Sequence, residues 1–556
     1  TGVEIGATNL GVITFDGFTV QNFTENGIVQ GMSDHEGTTF HVLNNIIIPA
    51  NGYLRNGIQV SGDGSTVIGN TVNGAPLTDS WASSGIIVVN ASDVTVQNNT
   101  VDGGTLGVDI GISVLNYSGT VDNVTIQGNN VTKAGNAIRI SGGDSSKVVS
   151  NVTIHDNDLV DNDRAINVQT VTLNGITVTV NTLSQSATVG LRFSGSSSTV
   201  TGITITGNTF SENPLYQVIG HAGALIDPAA VIGANTFDRA VTTTNWPYEI
   251  YGSIQFGIDE SADGDTVNVY PGTYVEALLG EGDDIHALEL NVPNITVQST
   301  GGRDVTILDV PDGTLTVGVK VLANMGTVTF NGFTVKDFTE GGIIQGMSAS
   351  TGTTFHVLNN KVIPAADYLR NGIQVSGDGS TVIGNFVEGA YLTEDWAATA
   401  IGVVNASNVL VQNNEVSGAV NGIDTGIAVY TWGEFTASGN QVLGNVIYNV
   451  DYPLTVESYN NGTTKDVEIH ENIVTNYEVA LLAVPWPDAP YAGLEVSDVD
   501  ATLNYWGSEC GPMVVIGDVP YAPWYTDETL TTTSSSGTVS GEVDFPAGST
   551  LEYMQE

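Results

Sequence analysis

The sequence predicts an all-β chain wound into stacked coils, and three observations carry that prediction: a tandem duplication, a finer repeat inside each copy, and a composition suited to strands and tight turns. Phe15-Asp-Gly-Phe-Thr-Val returns as Phe330-Asn-Gly-Phe-Thr-Val, and the offset of 315 residues holds without a gap to Val114 and Val429. Roughly two-thirds of the aligned positions are identical, the mark of a duplication. Within the first copy, β-branched phrases ending in Asn recur at Asn44, Asn70, Asn98, Asn129, Asn157, Asn181 and Asn208, with starts 24 to 30 residues apart. That period is too short for a globular unit and suits one coil of a solenoid. The 67 glycines, the abundant Thr, Val, Asn and Ser, and only 13 Lys plus Arg fit strands joined by turns.

Each strand alternates, so Val94, Val96, Val124, Ile126, Val152 and Ile154 are expected inside while the Thr and Gln between them face water. An Asn at each strand end suits a bend, because its side chain tolerates unusual backbone angles and bonds neighbouring amides. Stacked coils would turn these residues into a ladder with a structural role. After a linker at Asn245-Trp-Pro-Tyr, residues 253–262 place Ile254, Gly257, Ile258 and Ala262 on one helical face. A short helix followed by new strands is what an open solenoid needs as a cap, since a bare first coil would pair with other chains.

Residues 253–276, with Gly264-Asp-Thr-Val and Pro271-Gly-Thr-Tyr, resemble the opening of right-handed parallel β-helices of the pectate-lyase-like superfamily, in the repeat-rich form of microbial surface proteins. Asn504-Tyr-Trp-Gly-Ser, Gly511-Pro and Gly517-Asp-Val-Pro-Tyr-Ala-Pro-Trp resemble the closing motif of the same proteins. The resemblance implies two tandem right-handed parallel β-helices: a first at 1–243, a linker and helical cap at 244–315, a second at 316–525, and a Ser/Thr-rich linker with a short β-like tail at 526–556. The first copy begins inside the equivalent of residue 316, so about 70 residues matching the cap are expected either to have been removed by processing or to be replaced by stacking on another molecule. The fold carries lyases, hydrolases, esterases, adhesins and scaffolds alike, so it does not settle activity.

Composition narrows the function. With 60 Asp plus Glu the formal net charge is −47, a field that repels phosphate backbones and argues against nucleic acid as a partner. It makes Ca2+ a candidate ligand of a solvated acidic exterior; no cofactor is expected, and the sequence specifies no metal ligands. No apolar run approaches membrane-spanning length. The single Cys510 excludes an intrachain disulfide; it reads as a small buried side chain, with an intermolecular thiol as the sharper alternative.

The resemblance implies, for a lyase, a basic residue that abstracts the α-proton and Ca2+-binding carboxylates. Arg55 and Arg370 are the only basic residues repeated in both copies, and no second base or dense acidic cluster accompanies them. The Gly-His-Gly and Arg-Ile-Lys phrases of polygalacturonase-like hydrolases are absent, as are esterase motifs; Asp283-Asp284 lies in the cap loop. No catalytic residue is assigned. His41, Tyr53, Arg55 and Trp81, repeated as His356, Tyr368, Arg370 and Trp396, are candidates for a carbohydrate platform or for lateral contacts, because aromatic faces stack on sugar rings and Arg bonds hydroxyls or carboxylates. Glycosylation sequons stand at Asn22, Asn90, Asn98, Asn116, Asn123, Asn130, Asn151, Asn294, Asn405 and Asn461. The expectation is an extracellular structural protein that self-assembles into a cell-surface layer, sheath or fibre. The alternatives are a polysaccharide lyase or hydrolase and a carbohydrate-binding adhesin, with cell-surface glycans as partners beside the chain itself.

Overall fold

The computed structural model describes residues 1–535 apart from 33–35, 51–53, 75–82, 105–106, 145, 170, 195–198, 283, 314, 348–350, 366–369, 390–397, 419–422 and 486–494. The chain divides into two compact units, residues 1–242 with 246–253 and residues 243–245 with 254–556. In the first unit each coil contributes one strand to each of three parallel sheets. Sheet I includes Asn56–Val60, Ser84–Val89, Val108–Asn116, Ala134–Gly142, Arg164–Gln169 and Val189–Ser194. Sheet II includes Val94–Gln97, Val121–Gln127 and Val148–His155, and sheet III Thr100–Asp102, Asn130–Thr132 and Asp158–Val160. Strands pair one coil to the next in register, Val94 with Val124 and Val124 with Val152, so each coil advances about 4.8 Å.

Alternation decides what is inside. Val94, Val96, Val124, Ile126, Val152 and Ile154 are all buried, as expected, and the β-branched shapes stack on their equivalents above and below. The bend after sheet II holds the asparagine ladder. Asn45, Asn70, Asn99, Asn129, Asn157, Asn181, Asn208 and Asn235 run through unit 1, and the Oδ1 of each from Asn70 onward accepts from the backbone N–H and the Nδ2 of the rung before, as Asn129 does from Asn99 at 2.9 Å for both. The expected rungs Asn44 and Asn98 are corrected here. At Asn44-Asn45 and Asn98-Asn99 the first Asn takes the left-handed conformation at the corner (φ 54° and 53°) and the second turns inward to join the ladder, whereas at Asn129-Asn130 the first is the rung.

Unit 2 repeats the plan. Thr425–Trp432, Tyr452–Tyr459 and Leu481–Pro485 belong to its sheet I, and Asn360, Asn385, Asn414, Asn445, Asn472 and Asn504 form its ladder. The helix Ile254–Asp259 buries Ile254, Gly257 and Ile258 against the first strands of this unit, and the backbone N–H of Ile254 donates to the buried Glu276 carboxylate at 2.7 Å. Ala262 lies beyond the helix and is exposed, contrary to the sequence reading. Asn504 ends the ladder, and the closing motif buries Trp506 and Trp524.

A second helix, Pro228–Ala234 in unit 1, was not anticipated; Asp227 caps it by accepting from the N–H groups of Ala229 and Ala230, and Pro228 opens it. The start of the Ser/Thr-rich tail is also more ordered than a linker, since Thr533–Ser534 pairs antiparallel with Trp524–Tyr525. The β-like end expected at 541–556 lies outside the described residues. Among the described residues no helix is long and apolar enough to cross a membrane.

Candidate functional site: an arginine face on the first unit

The side chains singled out by repetition do not converge. His41 points outward from sheet II, its Nδ1 2.8 Å from the Thr66 hydroxyl, whereas Arg55 precedes a sheet I strand and pairs with Glu25 at 2.9 Å on the surface. The second copy does the same: His356 meets Thr381 at 2.8 Å, and Arg370 meets Glu340 at 3.1 Å. Burial lowers the His356 imidazole below its ordinary pKa. Tyr53, Trp81, Tyr368 and Trp396 lie outside the described residues. Cys510 is exposed and free, which overturns the reading of a buried side chain; it follows a turn in which its N–H donates to Ser508 Oγ.

Most sequon asparagines are corner residues. Asn22, Asn90, Asn98, Asn123, Asn151, Asn294, Asn405 and Asn461 all have positive φ between 52° and 70°. Asn90 and Asn116 are buried, Asn90 accepting from the N–H groups of residues 117–119 and Asn116 donating to the Val148 carbonyl, so neither is presented to solvent in the folded chain.

The outer face of sheet I in unit 1 holds a different constellation. Cross-strand register puts Ser113, Arg139, Asn167, Arg192 and Ile219 in one outward column on successive coils. Arg164 opens the strand that carries Asn167, and Ser141 stands two residues beyond Arg139. Three of the chain's seven arginines therefore share one face of a protein with net charge −47. Arg164 pairs with Asp163 at 2.9 Å. Among the described residues Arg139 and Arg192 make no ion pair and no hydrogen bond, and the Nε atoms of all three arginines are buried without an acceptor. Burial pulls the Arg139 and Arg192 guanidiniums below their ordinary pKa; nearby Asp109 offsets this for Arg139, while the Arg164 charge adds to it for Arg192. Both remain cations at neutral pH.

The neutral groups of this face are equally incomplete. Asn167 is buried and spends both amide protons, on Asn136 Oδ1 at 2.8 Å and Gln169 Oε1 at 3.0 Å, which leaves its own Oδ1 without a donor. Ser113 Oγ and Ser141 Oγ are buried and unpartnered as well. Each such atom costs about 1–3 kcal/mol when it is left without a partner.

The corresponding face of unit 2 carries other chemistry. Its outward column reads Gln374, Gly402, Ala428, Thr455 and Leu482, without an arginine. Beside it Tyr430 pairs in register with Glu457, and Tyr459 Oη donates to the Glu457 carboxylate. Burial, with the Glu457 charge adding to it, pushes the Tyr430 phenol up to about 12. Trp432 is 46% exposed with its ring 5.4 Å from that of Tyr459. Among the described residues no three His, Cys, Asp or Glu side chains are grouped to hold a metal ion in either unit.

Residues 84–257 and 317–497 match the family described as the right-handed β-helix region, and the chain belongs to that family. No curated protein matches the sequence. Similar solved structures include DFA-IIIase from Arthrobacter chlorophenolicus without its lid, 12% identical, with a TM-score of 0.20 over 73% of this chain and 84% of that one. The A-module of a mannuronan C-5 epimerase from Azotobacter vinelandii is 11% identical, with a TM-score of 0.17 over 89% and 90%. The PL6 family alginate lyase AlyGC is 10% identical, with a TM-score of 0.23 over 90% and 97%. Scores this low give these enzymes no weight in assigning chemistry to this chain.

Proposed function

We propose that the protein is an extracellular carbohydrate-binding β-helix whose ligand is an acidic polysaccharide held on the Arg139–Arg192 face of the first unit. The single observation behind this reading is the pair of half-buried guanidiniums, Arg139 and Arg192, that make no ion pair and no hydrogen bond among the described residues. A carboxylate or sulfate forms charge-assisted, often bidentate bonds with Arg. The net charge opposes a polyanion at long range. Beyond a Debye length of about 8 Å at 0.15 M salt that repulsion is screened, while partly buried contacts are screened much less. DNA, with one charge per about 1.7 Å, would meet far more repulsion than a glycan with one charge per sugar or fewer.

Affinity electrophoresis of the full chain at physiological ionic strength tests the reading. Gels containing polygalacturonate or hyaluronan should retard the protein, gels containing dextran should not, and Arg139→Ala with Arg192→Ala should abolish the retardation. Equal mobility in all gels, or unchanged retardation of the double variant, would refute it.

Self-association is retained as a second reading on one observation. Phe330 and Phe333, stacked at 4.4 Å, are fully buried in unit 2, whereas their counterparts Phe15 and Phe18, stacked at 4.5 Å, leave Phe18 54% and nearby Val12 69% exposed. Exposed apolar side chains of this kind favour cover by a second copy. Light scattering at several ionic strengths, with and without Ca2+, decides it: mass growth with salt or Ca2+ supports assembly, and a monodisperse monomer throughout contradicts it.

A further inference from the structure

We infer that unit 1 carries N-linked oligosaccharides at Asn22, Asn98 and Asn130, all on its sheet III side, while the other sequons are spent on the fold; the inference takes from the reading above only the extracellular placement. The position of each sequon within its coil decides what its amide does. At the corner after sheet I the asparagine is built in. Asn90 is buried, its Oδ1 accepts from the N–H groups of residues 117–119, and its Nδ2 donates to Ser118 Oγ at 3.3 Å. Ser92, the third residue of that sequon, accepts from the Asp122 N–H at 3.2 Å. The copy in unit 2 is used in the same way: Asn405 Oδ1 accepts from the Trp432 N–H at 2.6 Å, and Ser407 Oγ from the Ser438 N–H at 3.1 Å. Asn116 is buried with its Nδ2 on the Val148 carbonyl, and Asn461 has its Oδ1 buried. Where sheet II begins, Asn123, Asn151 and Asn294 tie their Nδ2 to a carboxylate of the coil before, Asp93 at 2.7 Å, Asp122 at 2.8 Å and Asp263 at 2.7 Å.

Around sheet III the geometry is the opposite. Asn22 lies near the end of Thr19–Phe23, Asn98 at the corner before Thr100–Asp102, and Asn130 opens Asn130–Thr132. All three are exposed, and among the described residues none of their side chains makes a hydrogen bond. The buried rungs Asn99 and Asn129 hold this corner, which leaves the neighbouring Asn98 and Asn130 amides free. Thr100 and Asn130 stand opposite each other in register, so those two sites occupy adjacent coils of one side. Unit 2 lacks the counterparts: Asp337 stands where Asn22 does, and Glu415 takes the place of Thr100 after Asn413-Asn414. The modification joins Nδ2 to the anomeric carbon of an oligosaccharide carried on a lipid diphosphate. The new N–C bond forms as the anomeric C–O bond breaks, the diphosphate leaves with the bonding pair, and Nδ2 gives up one proton. The Thr two residues on completes the acceptor sequence. Oligosaccharides placed there clothe one side of the coil and leave the outer face of sheet I, with Arg139 and Arg192, uncovered.

The test is mass spectrometry of intact glycopeptides from the full chain, isolated from the cells that make it, beside Thr24→Ala, Thr100→Ala and Thr132→Ala made in the same cells. Each variant keeps its asparagine and should lose the mass of one oligosaccharide, at Asn22, Asn98 and Asn130 respectively. Peptides holding Asn90 and Asn116 should carry none. Bare Asn22, Asn98 and Asn130 in the unmodified chain, variants that keep the full mass, or an oligosaccharide on Asn90 or Asn116 would overturn the inference. Retardation in acidic-polysaccharide gels is a separate readout: bare sequons leave the binding reading standing, and lost retardation leaves the modification sites standing.

Discussion

Asn129→Ala removes a rung from the middle of the unit 1 ladder, and the structure allows its cost to be worked out. The Asn129 Nδ2 donates to Asn157 Oδ1 at 2.9 Å, to the Val96 carbonyl at 2.9 Å and to the Gln127 carbonyl at 3.1 Å, and its Oδ1 accepts from the N–H and the Nδ2 of Asn99, both at 2.9 Å. The Asn99 Nδ2 keeps a second acceptor in the Val67 carbonyl, but the Asn99 N–H is left buried without a partner. One stranded donor at about 1–3 kcal/mol, with the lost bonds at about 0.5–1.5 kcal/mol each and partial relaxation, gives a destabilisation of about 3–5 kcal/mol. Urea unfolding followed by circular dichroism measures it, with hydrogen exchange at the Asn99 amide as a local readout that does not depend on a two-state transition. The exposed neighbour Asn130→Ala should stay within about 0.5 kcal/mol of the unmodified chain. A loss below about 1 kcal/mol for Asn129→Ala, with Asn99 still protected, would refute the view that the ladder holds the coils in register.

Four further outcomes are expected. Burial raises the Asp424 carboxyl above its ordinary pKa, with the Ala398 N–H offsetting part of the effect, so the folded state holds its proton more tightly than the unfolded chain; the cost of the charged form is absent below the unfolded value and grows as pH rises through the folded one. Asp424→Asn should therefore raise Tm at pH 7, with the gain vanishing on acidification toward about pH 4. Arg55→Ala breaks a surface pair with Glu25, and thermal melts should show a change within about 1 kcal/mol. The exposed Cys510 should react with a thiol reagent in the folded protein at one equivalent, where a buried side chain would react only on unfolding. Incubation with uronate-containing and neutral polysaccharides in Ca2+ should release no unsaturated or reducing ends; release abolished by Arg55→Ala with Arg370→Ala would establish an enzyme.

The coil was legible because period-two alternation and a corner Asn both recur at a fixed spacing, so that the registers of Val94, Val124 and Val152 follow from the phrases alone. The ladder was displaced by one residue at Asn44-Asn45 and Asn98-Asn99 but not at Asn129-Asn130, since sequence does not say which of two adjoining Asn turns inward. The helix at Pro228–Ala234 had a readable signal in Asp227-Pro228 that the surrounding strand pattern obscured. The arginine face was hidden for a different reason. Comparing the two copies selects what the duplication kept, such as Arg55 and Arg370, whereas Arg139, Arg164 and Arg192 all lie beyond the stretch where the copies align without a gap. They also occupy different places in their strands and become neighbours only through the pairing of Arg139 with Asn167 and of Asn167 with Arg192.

The most direct measurement is arginine footprinting: modification of the folded chain with phenylglyoxal in the presence and absence of a saturating hyaluronan oligosaccharide, read by mass spectrometry of the peptides. Protection of Arg139 and Arg192, with Arg55 and Arg370 modified equally in both samples, is the predicted result. Protection confined to Arg55 and Arg370, or no ligand-dependent change at Arg139 and Arg192, would contradict the assignment of the binding face.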